Sequence, residues 1–136
     1  MTTAGYSGTP LPQKLGIKAG VRAAWVRAPE GFAELLGELP DGVRIKARAT
    51  APVDVVVCFV TRRSQLEREL PRLRELIRPA GAVWAAWPKR ASGVPTDITE
   101  DTIRDVALPL GLVDVKVCAI DETWSGLRLV IRRELR

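Results

Sequence analysis

Apolar positions along the chain fall into three patterns. Residues 53–60 and 82–87 are almost uninterrupted in Val, Ala, Phe and Trp, as strands covered on both faces are. Residues 43–48 alternate Val43, Ile45 and Ala47 with Arg44, Lys46 and Arg48, and residues 113–120 and 127–133 alternate on either side of 121–126. A period of two predicts strands with one open face, an edge strand at 43–48 and an antiparallel hairpin at the end. A short run at 21–26 after Gly20 adds one more strand. The third pattern is helical. Phe32, Leu35, Leu36 and Leu39 share a face, with Pro29 in the first turn and Pro40-Asp41-Gly42 as the stop. Leu66, Leu70, Leu73, Leu76 and Ile77 form a second stripe behind a Ser64/Glu67 capping box, with Pro71 predicting a kink or a late start. Ile103, Val106, Ala107 and Leu110 form a third behind an Asp97/Glu100 box, ended by Gly111.

The order β-α-β-β-α-β-α-β-β predicts a three-layer, Rossmann-like α/β fold, a mostly parallel sheet with a C-terminal antiparallel hairpin. Residues 21–136 read as one such domain, because two domains in 136 residues would each be marginal in size. Residues 1–20 carry Gly5, Ser7, Gly8, Pro10, Pro12, Gly16 and Gly20 and read as an arm anchored by Leu11, Leu15 and Ile17. Apolar residues at 46% and charged residues at 27% are ordinary globular usage. No apolar run approaches the roughly 18 residues of a membrane span, and the first residues lack a charged n-region followed by an apolar h-region. A cytoplasmic, non-membrane protein is expected.

Chemistry narrows the picture further. The chain has no His, which removes imidazole as base, shuttle or ligand, and two Cys within apolar strands, Cys58 and Cys118, suit packing rather than metal binding. No metal site is expected. Ser7, Ser64, Ser92 and Ser125 have no His to activate them and no G-x-S-x-G elbow; neither a phosphate loop nor a dinucleotide G-x-G-x-x-G occurs. The net charge of +5 comes from 16 Arg and 5 Lys interleaved with acids, as in RRSQLERELPRLREL, which argues against nucleic acid as the partner.

Ligands of open α/β sheets bind beyond the carboxyl ends of the parallel strands. Those ends lie at 27–30, 61–63 and 89–97, with the hairpin loop at the same edge. Arg62, Arg63, Lys89 and Arg90 could converge there on an anion, helped by helix-terminal N–H groups near Ser64 and Asp97. Trp87 ends the strand next to the long 88–96 loop and could wall a pocket there, Ser92, Thr96 and Asp97 belong to that loop and its exit, and Asp121, Glu122 and Trp124 form the other polar group. These residues are the candidate ligand site. A small anionic ligand or a protein partner is the expected occupant, with a second copy of the chain as a further candidate; no cofactor and no catalytic residue are assigned.

The segments GYSGTPLPQKLGI, VDVVVCFVTRR, GAVWAAWPK and DVKVCAIDETWSGLRLVIRR resemble a family of small bacterial proteins of unknown function. The second half, with its buried D-V-V strand, helix, Gly-introduced strand, helix and terminal hairpin, is also similar to class I methyltransferases and implies a shortened version of that fold. The first half departs from it. Arg27-Ala28-Pro29-Glu30-Gly31 stands where that superfamily has a Gly-rich cofactor turn, and Lys46-Ala47-Arg48 where an acid would hold ribose hydroxyls. Only four residues, 49–52, then precede the central strand, so either a strand and one or two helices are lost or the edge strand pairs antiparallel. The resemblance therefore implies a non-catalytic binding or regulatory module. The alternative is a divergent S-adenosylmethionine-dependent enzyme, for which Lys89, Asp97, Asp121 and Glu122 are the polar groups at hand.

Overall fold

The computed structural model describes residues 9–136, so Gly5, Ser7 and Gly8 of the expected arm lie outside the described residues. Among these, β1 (Arg22–Val26), β2 (Arg44–Lys46), β3 (Val53–Phe59), β4 (Ile77–Pro88), β5 (Leu112–Ala119) and β6 (Trp124–Ile131) form one sheet in the order β2-β1-β3-β4-β6-β5. β1 is parallel to β2 and β3, β3 is parallel to β4, and β6 is antiparallel to β4 and β5. The mostly parallel sheet with a terminal hairpin is as the sequence predicts. The 43–48 segment provides a parallel edge strand, and the antiparallel option is excluded.

Among the described residues four α-helices complete the layers: α1 (Leu11–Lys14), α2 (Phe32–Leu36), α3 (Arg63–Leu76) and α4 (Glu100–Ala107). Successive side chains of a strand point to opposite faces, and β3 divides accordingly. Val56 and Cys58 pack with Leu66, Leu70 and Leu73 of α3, Ile103 of α4 and Leu127 and Leu129 of the hairpin. Val55, Val57 and Phe59 pack with Leu15, Ile17, Phe32 and Leu36 on the other face. Cover on both faces is why β3 reads as a continuous apolar run. Trp84 and Trp87 of β4 go to opposite faces, as their spacing requires.

The link from β2 to β3 explains how so few residues connect two parallel strands. Residues 47–52 do not return as a helix. Ala49 is buried in the α3-side core, and its carbonyl accepts from Arg72 Nη1 of α3 at 3.2 Å. The link, bent at both ends, thus packs on the α3 side of the sheet. Lys46 Nζ fastens it, donating to the Thr50 and Pro52 carbonyls at 2.7 and 3.1 Å.

Local starts and stops differ from expectation at several points. Pro29 does not open α2: Gly31, at φ 89°, is its N-cap, and Gly37, at φ 72°, ends it before Leu39. The expected caps at Ser64/Glu67 and Asp97/Glu100 are not the ones formed. α3 starts at Arg63 after an extended Arg62, which puts Gln65 at the third helical position, and its Oε1 accepts from the N–H groups of Thr61 and Arg62 at 2.8 and 3.2 Å. α4 is capped by a reciprocal Thr99/Thr102 pair at 3.1 and 3.2 Å. α4 thus has a reciprocal box, while α3 has only the half supplied by Gln65, and in each helix the N-cap is the residue that is extended. Pro71 sits inside α3 at an exposed position. α4 is tied to β5 through Arg104, whose Nε donates to Asp114 Oδ2 at 3.0 Å and whose other nitrogens pair with Asp101 and Glu100. Hydrogen bonds to Asp114 first, then Glu100, hold the guanidinium pKa above its ordinary value.

Candidate ligand cleft at the strand switch point

From β1 the chain passes through α2 to β2 on one side, and from β3 through α3 to β4 on the other. β1 and β3 are neighbours whose connections diverge, so the carboxyl ends of these two strands flank a topological switch point, where open sheets of this class bind ligands. A cleft of about 300 Å³ opens there. Pro29, Glu30 and Gly31 from the β1–α2 turn, Phe32 and Leu35 from α2, Phe59 at the end of β3, and Ile120, Asp121, Thr123 and Trp124 from the hairpin line it.

Each wall has a local cause. β6 pairs with β4 down to Trp124 opposite Pro88, which brings the hairpin tip to the carboxyl edge as expected. Asp121 Oδ1 accepts from the N–H groups of Thr123 and Trp124 at 2.8 and 2.7 Å, an Asx-type turn that fixes the tip. Trp124 therefore belongs to the strand, and the turn is shorter than the 121–126 loop the sequence suggests. An edge-to-face series runs beneath, Trp25 to Phe32 to Phe59 to Trp124, with ring centroids 5.0, 4.9 and 5.1 Å apart, the arrangement aromatic quadrupoles favour. Phe32 and Phe59 are 3% and 2% exposed and form the floor. Trp124 is half-buried and forms a wall. Two left-handed residues shape the rim, Arg27 at φ 60° and Gly31 at φ 89°. A Cβ added to Gly31 would meet nothing within 4 Å, so its glycine serves the backbone angle and leaves open space above the turn. Arg27 reaches the α3 side, 4.0 Å from Glu69.

The residues singled out from sequence do not gather into one site. Asp121 and Trp124 line the switch-point cleft, while Glu122 is exposed on the tip. Trp87, Arg90, Thr96 and Asp97 line a second, wider cleft of about 640 Å³ at the end of β4. Lys89 joins the two regions by backbone only, its N–H donating to the Thr123 carbonyl at 2.7 Å. Ser92 Oγ donates to the Lys89 carbonyl at 2.7 Å and accepts from Val94 N–H, and Thr96 Oγ1 donates to the Thr61 carbonyl at 2.7 Å. Both hydroxyls thereby shape the 88–99 loop.

Arg62 and Arg63 are exposed at the start of α3, but the first helical N–H expected to assist an anion there, that of Arg63, is bonded within the chain. Asp97 Oδ1 accepts from Arg63 N–H at 2.7 Å, placing a carboxylate of the protein where an anion would sit. Asp97→Ala should therefore cost about 0.5–2 kcal/mol of stability by urea denaturation, as loss of a helix cap does; an unchanged midpoint would show that the bond contributes nothing. Glu30, Gly31, Phe32 and Phe59 were not among the candidates from sequence. The divergence of connections at β1 and β3 is the signal that identifies them, and it becomes readable only once the 43–48 strand is placed beside β1.

No protein-family model matches the sequence, and no curated protein matches it. Solved structures do share the fold. A SAM-dependent methyltransferase from Aquifex aeolicus is 15% identical, with a TM-score of 0.57 over 89% of this chain and 88% of that one. Aeropyrum pernix fibrillarin, solved with natively bound S-adenosyl-L-methionine, is 14% identical, with a TM-score of 0.57 over 93% of this chain and 70% of that one. TrmN from Thermus thermophilus is 14% identical, with a TM-score of 0.56 over 89% of this chain, which spans 47% of TrmN. The chain has a methyltransferase-like Rossmann fold in a shortened form. Among the described residues, no helix is long and apolar enough to cross a membrane.

Proposed function

We propose that the chain binds S-adenosylmethionine at the switch-point cleft and acts as a divergent methyltransferase-like protein. The observation that carries this reading is the cleft itself: it opens where the connections of the adjacent parallel strands β1 and β3 diverge, in a fold shared with SAM-dependent methyltransferases. The local fit is mixed in an informative way. Gly31 leaves open space above the β1–α2 turn, and Phe59 and Trp124 give the cleft an apolar wall. At the end of β2, however, Lys46 is bonded to the following link, so ribose recognition by a carboxylate at that position is absent from this reading.

S-adenosylmethionine supplies an activated methyl group on a positively charged sulfur. Transfer of that group releases a neutral thioether, so no proton has to be delivered to the leaving group, and the protein's task is mainly to hold donor and acceptor in line. A chain without His is suited to that task. Glu30, Asp121 and Thr123 are the polar side chains at the cleft able to orient an acceptor.

Isothermal titration of the purified chain with S-adenosylmethionine and S-adenosylhomocysteine tests the reading. Saturable binding is expected, with a rise in apparent stability of about 2.7 kcal/mol at a hundredfold excess over Kd. Heat-silent titrations together with an unmoved melting temperature for both compounds would overturn it, and would favour a binding module for a small anionic ligand or a protein partner.

A further inference from the structure

We propose that the switch-point cleft is selective for a small organic cation, an alkylammonium or sulfonium centre, over its neutral isostere. The chain carries a net charge of +5, yet among the described residues the ionisable side chains lining this cleft are both acids, Glu30 and Asp121. Both hydrogen bonds to the Asp121 carboxylate fall on Oδ1, and among the described residues no bond to Oδ2 is found. Glu30 is exposed and has no ion pair among the described residues. On the rim, Arg27 lies 4.0 Å from Glu69 of α3, and Lys89 meets the cleft residue Thr123 through its backbone N–H. The half-buried indole of Trp124 lines the same cleft, in edge-to-face contact with Phe59 at 5.1 Å. A negative rim over an indole wall attracts a cation twice, through its charge and through the ring quadrupole, and Trp is the strongest of the aromatic partners. At about 300 Å³ the cleft is at the small end of ligand sites, which suits a compact head group.

That selectivity rests on the cleft's own residues; only its assignment to donor or acceptor rests on the proposed function. The cation has two sources, the sulfonium of the methyl donor or an amine presented for methylation. In the latter case the amine nitrogen, after giving up a proton to water, attacks the methyl carbon. A C–N bond forms, the C–S bond breaks, and the electron pair stays on sulfur as the thioether.

The experiment is a proton–nitrogen NMR titration of the whole chain with choline and with 3,3-dimethylbutan-1-ol, its neutral carbon isostere. Choline is expected to move the Trp124 indole and the Gly31 and Thr123 amide signals saturably, with the neutral alcohol at least about fivefold weaker, the scale of a cation–π contribution. Glu30→Gln, at an exposed position, should weaken choline while leaving the fold intact, and Trp124→Leu should reduce the preference for the charged probe. Equal binding of the two probes, or no response to either, overturns the proposal. Parallel titrations with the adenosyl compounds separate the two readings. Choline selectivity without adenosyl binding supports the cation site and removes the methyl-donor reading; equal affinity for donor and thioether with a silent choline titration does the reverse. With choline selectivity in place, a preference for S-adenosylmethionine over the thioether assigns the cleft to the sulfonium, and equal affinity assigns it to the amine.

Discussion

Trp84→Ala is expected to lower the unfolding free energy by about 3–5 kcal/mol, read from urea denaturation with an unchanged slope. Trp84 is fully buried in the middle of β4, on the face shared with Leu15, Ile17, Phe32 and Phe59. Its Nε1 donates to the Leu15 carbonyl at 2.9 Å across 69 positions of sequence. The indole thus fastens the segment after α1 onto the sheet. The structure makes room for it: an added Cβ on Gly126, on the adjacent strand β6, would lie 3.1 Å from Trp84 Cε3 and 3.2 Å from Ile120 Cδ1. Trp84→Phe separates the two contributions. It retains most of the apolar volume but leaves the buried Leu15 carbonyl without its donor, at an expected cost of about 1–3 kcal/mol. If Trp84→Ala cost less than about 1 kcal/mol, the N-terminal segment would not be a working part of this core.

Much of the fold was legible because its strongest signals are set by burial. β3 and β4 read as continuous apolar runs since helices cover both faces, and the terminal strands alternate since the hairpin lies at the edge of the sheet, where β5 keeps an open side. Termini of the helices were less legible. Ser64 and Asp97 are good capping residues, but which residue caps depends on where the preceding backbone is extended, and that is set by how the 61–63 and 96–99 segments meet. Thr96 and Asp97 reach Thr61 and Arg63 across more than thirty positions, a contact that no local pattern encodes. α2 is short for a related reason: left-handed Gly31 and Gly37 bracket it, while the apolar spacing continues to Leu39.

Candidate site residues were harder to read than elements. Lys89, Arg90, Arg62 and Arg63 are close in sequence to strand ends and carry charge, so they attract attention. Structurally they fall around the β4 loop and the start of α3, whose terminal N–H is already bonded to Asp97. Phe32 and Phe59 look like ordinary core residues in the sequence, and they are core residues; they become part of a site only because the hairpin tip curls over them. Asp121 and Trp124 were identified from the sequence for their polarity and ring, and the turn that Asp121 closes is what presents Trp124 to the cleft.

Alkaline conditions should destabilise the chain through a group that plays no part in the cleft. Burial first, and the charge of Glu69 second, push the Cys58 thiol from its ordinary value of 9.0 up to about 12, against opposing contributions from Arg27 and Arg72. The sign follows from linkage. Below pH 9 both folded and unfolded chains keep the proton, and Cys58 contributes no pH dependence. Above it the unfolded chain releases the proton while the folded chain retains it, so stability falls by about 1.4 kcal/mol per pH unit until the folded value is reached. The whole window amounts to on the order of 4 kcal/mol. Comparison with Cys58→Ala isolates this contribution, because Cys118, whose thiol pKa burial also raises, and every other ionisable side chain are common to both chains. The stability difference between the two should be constant below pH 9 and move steadily in favour of the alanine variant above it. The same burial predicts that iodoacetamide at pH 8 modifies Cys58 only as fast as the chain opens, since the thiolate is the reactive form. Rapid labelling of the folded chain, or a pH-independent difference from the variant up to pH 11, would place the thiol in contact with water and reopen it as a nucleophile beside the carboxyl end of β3.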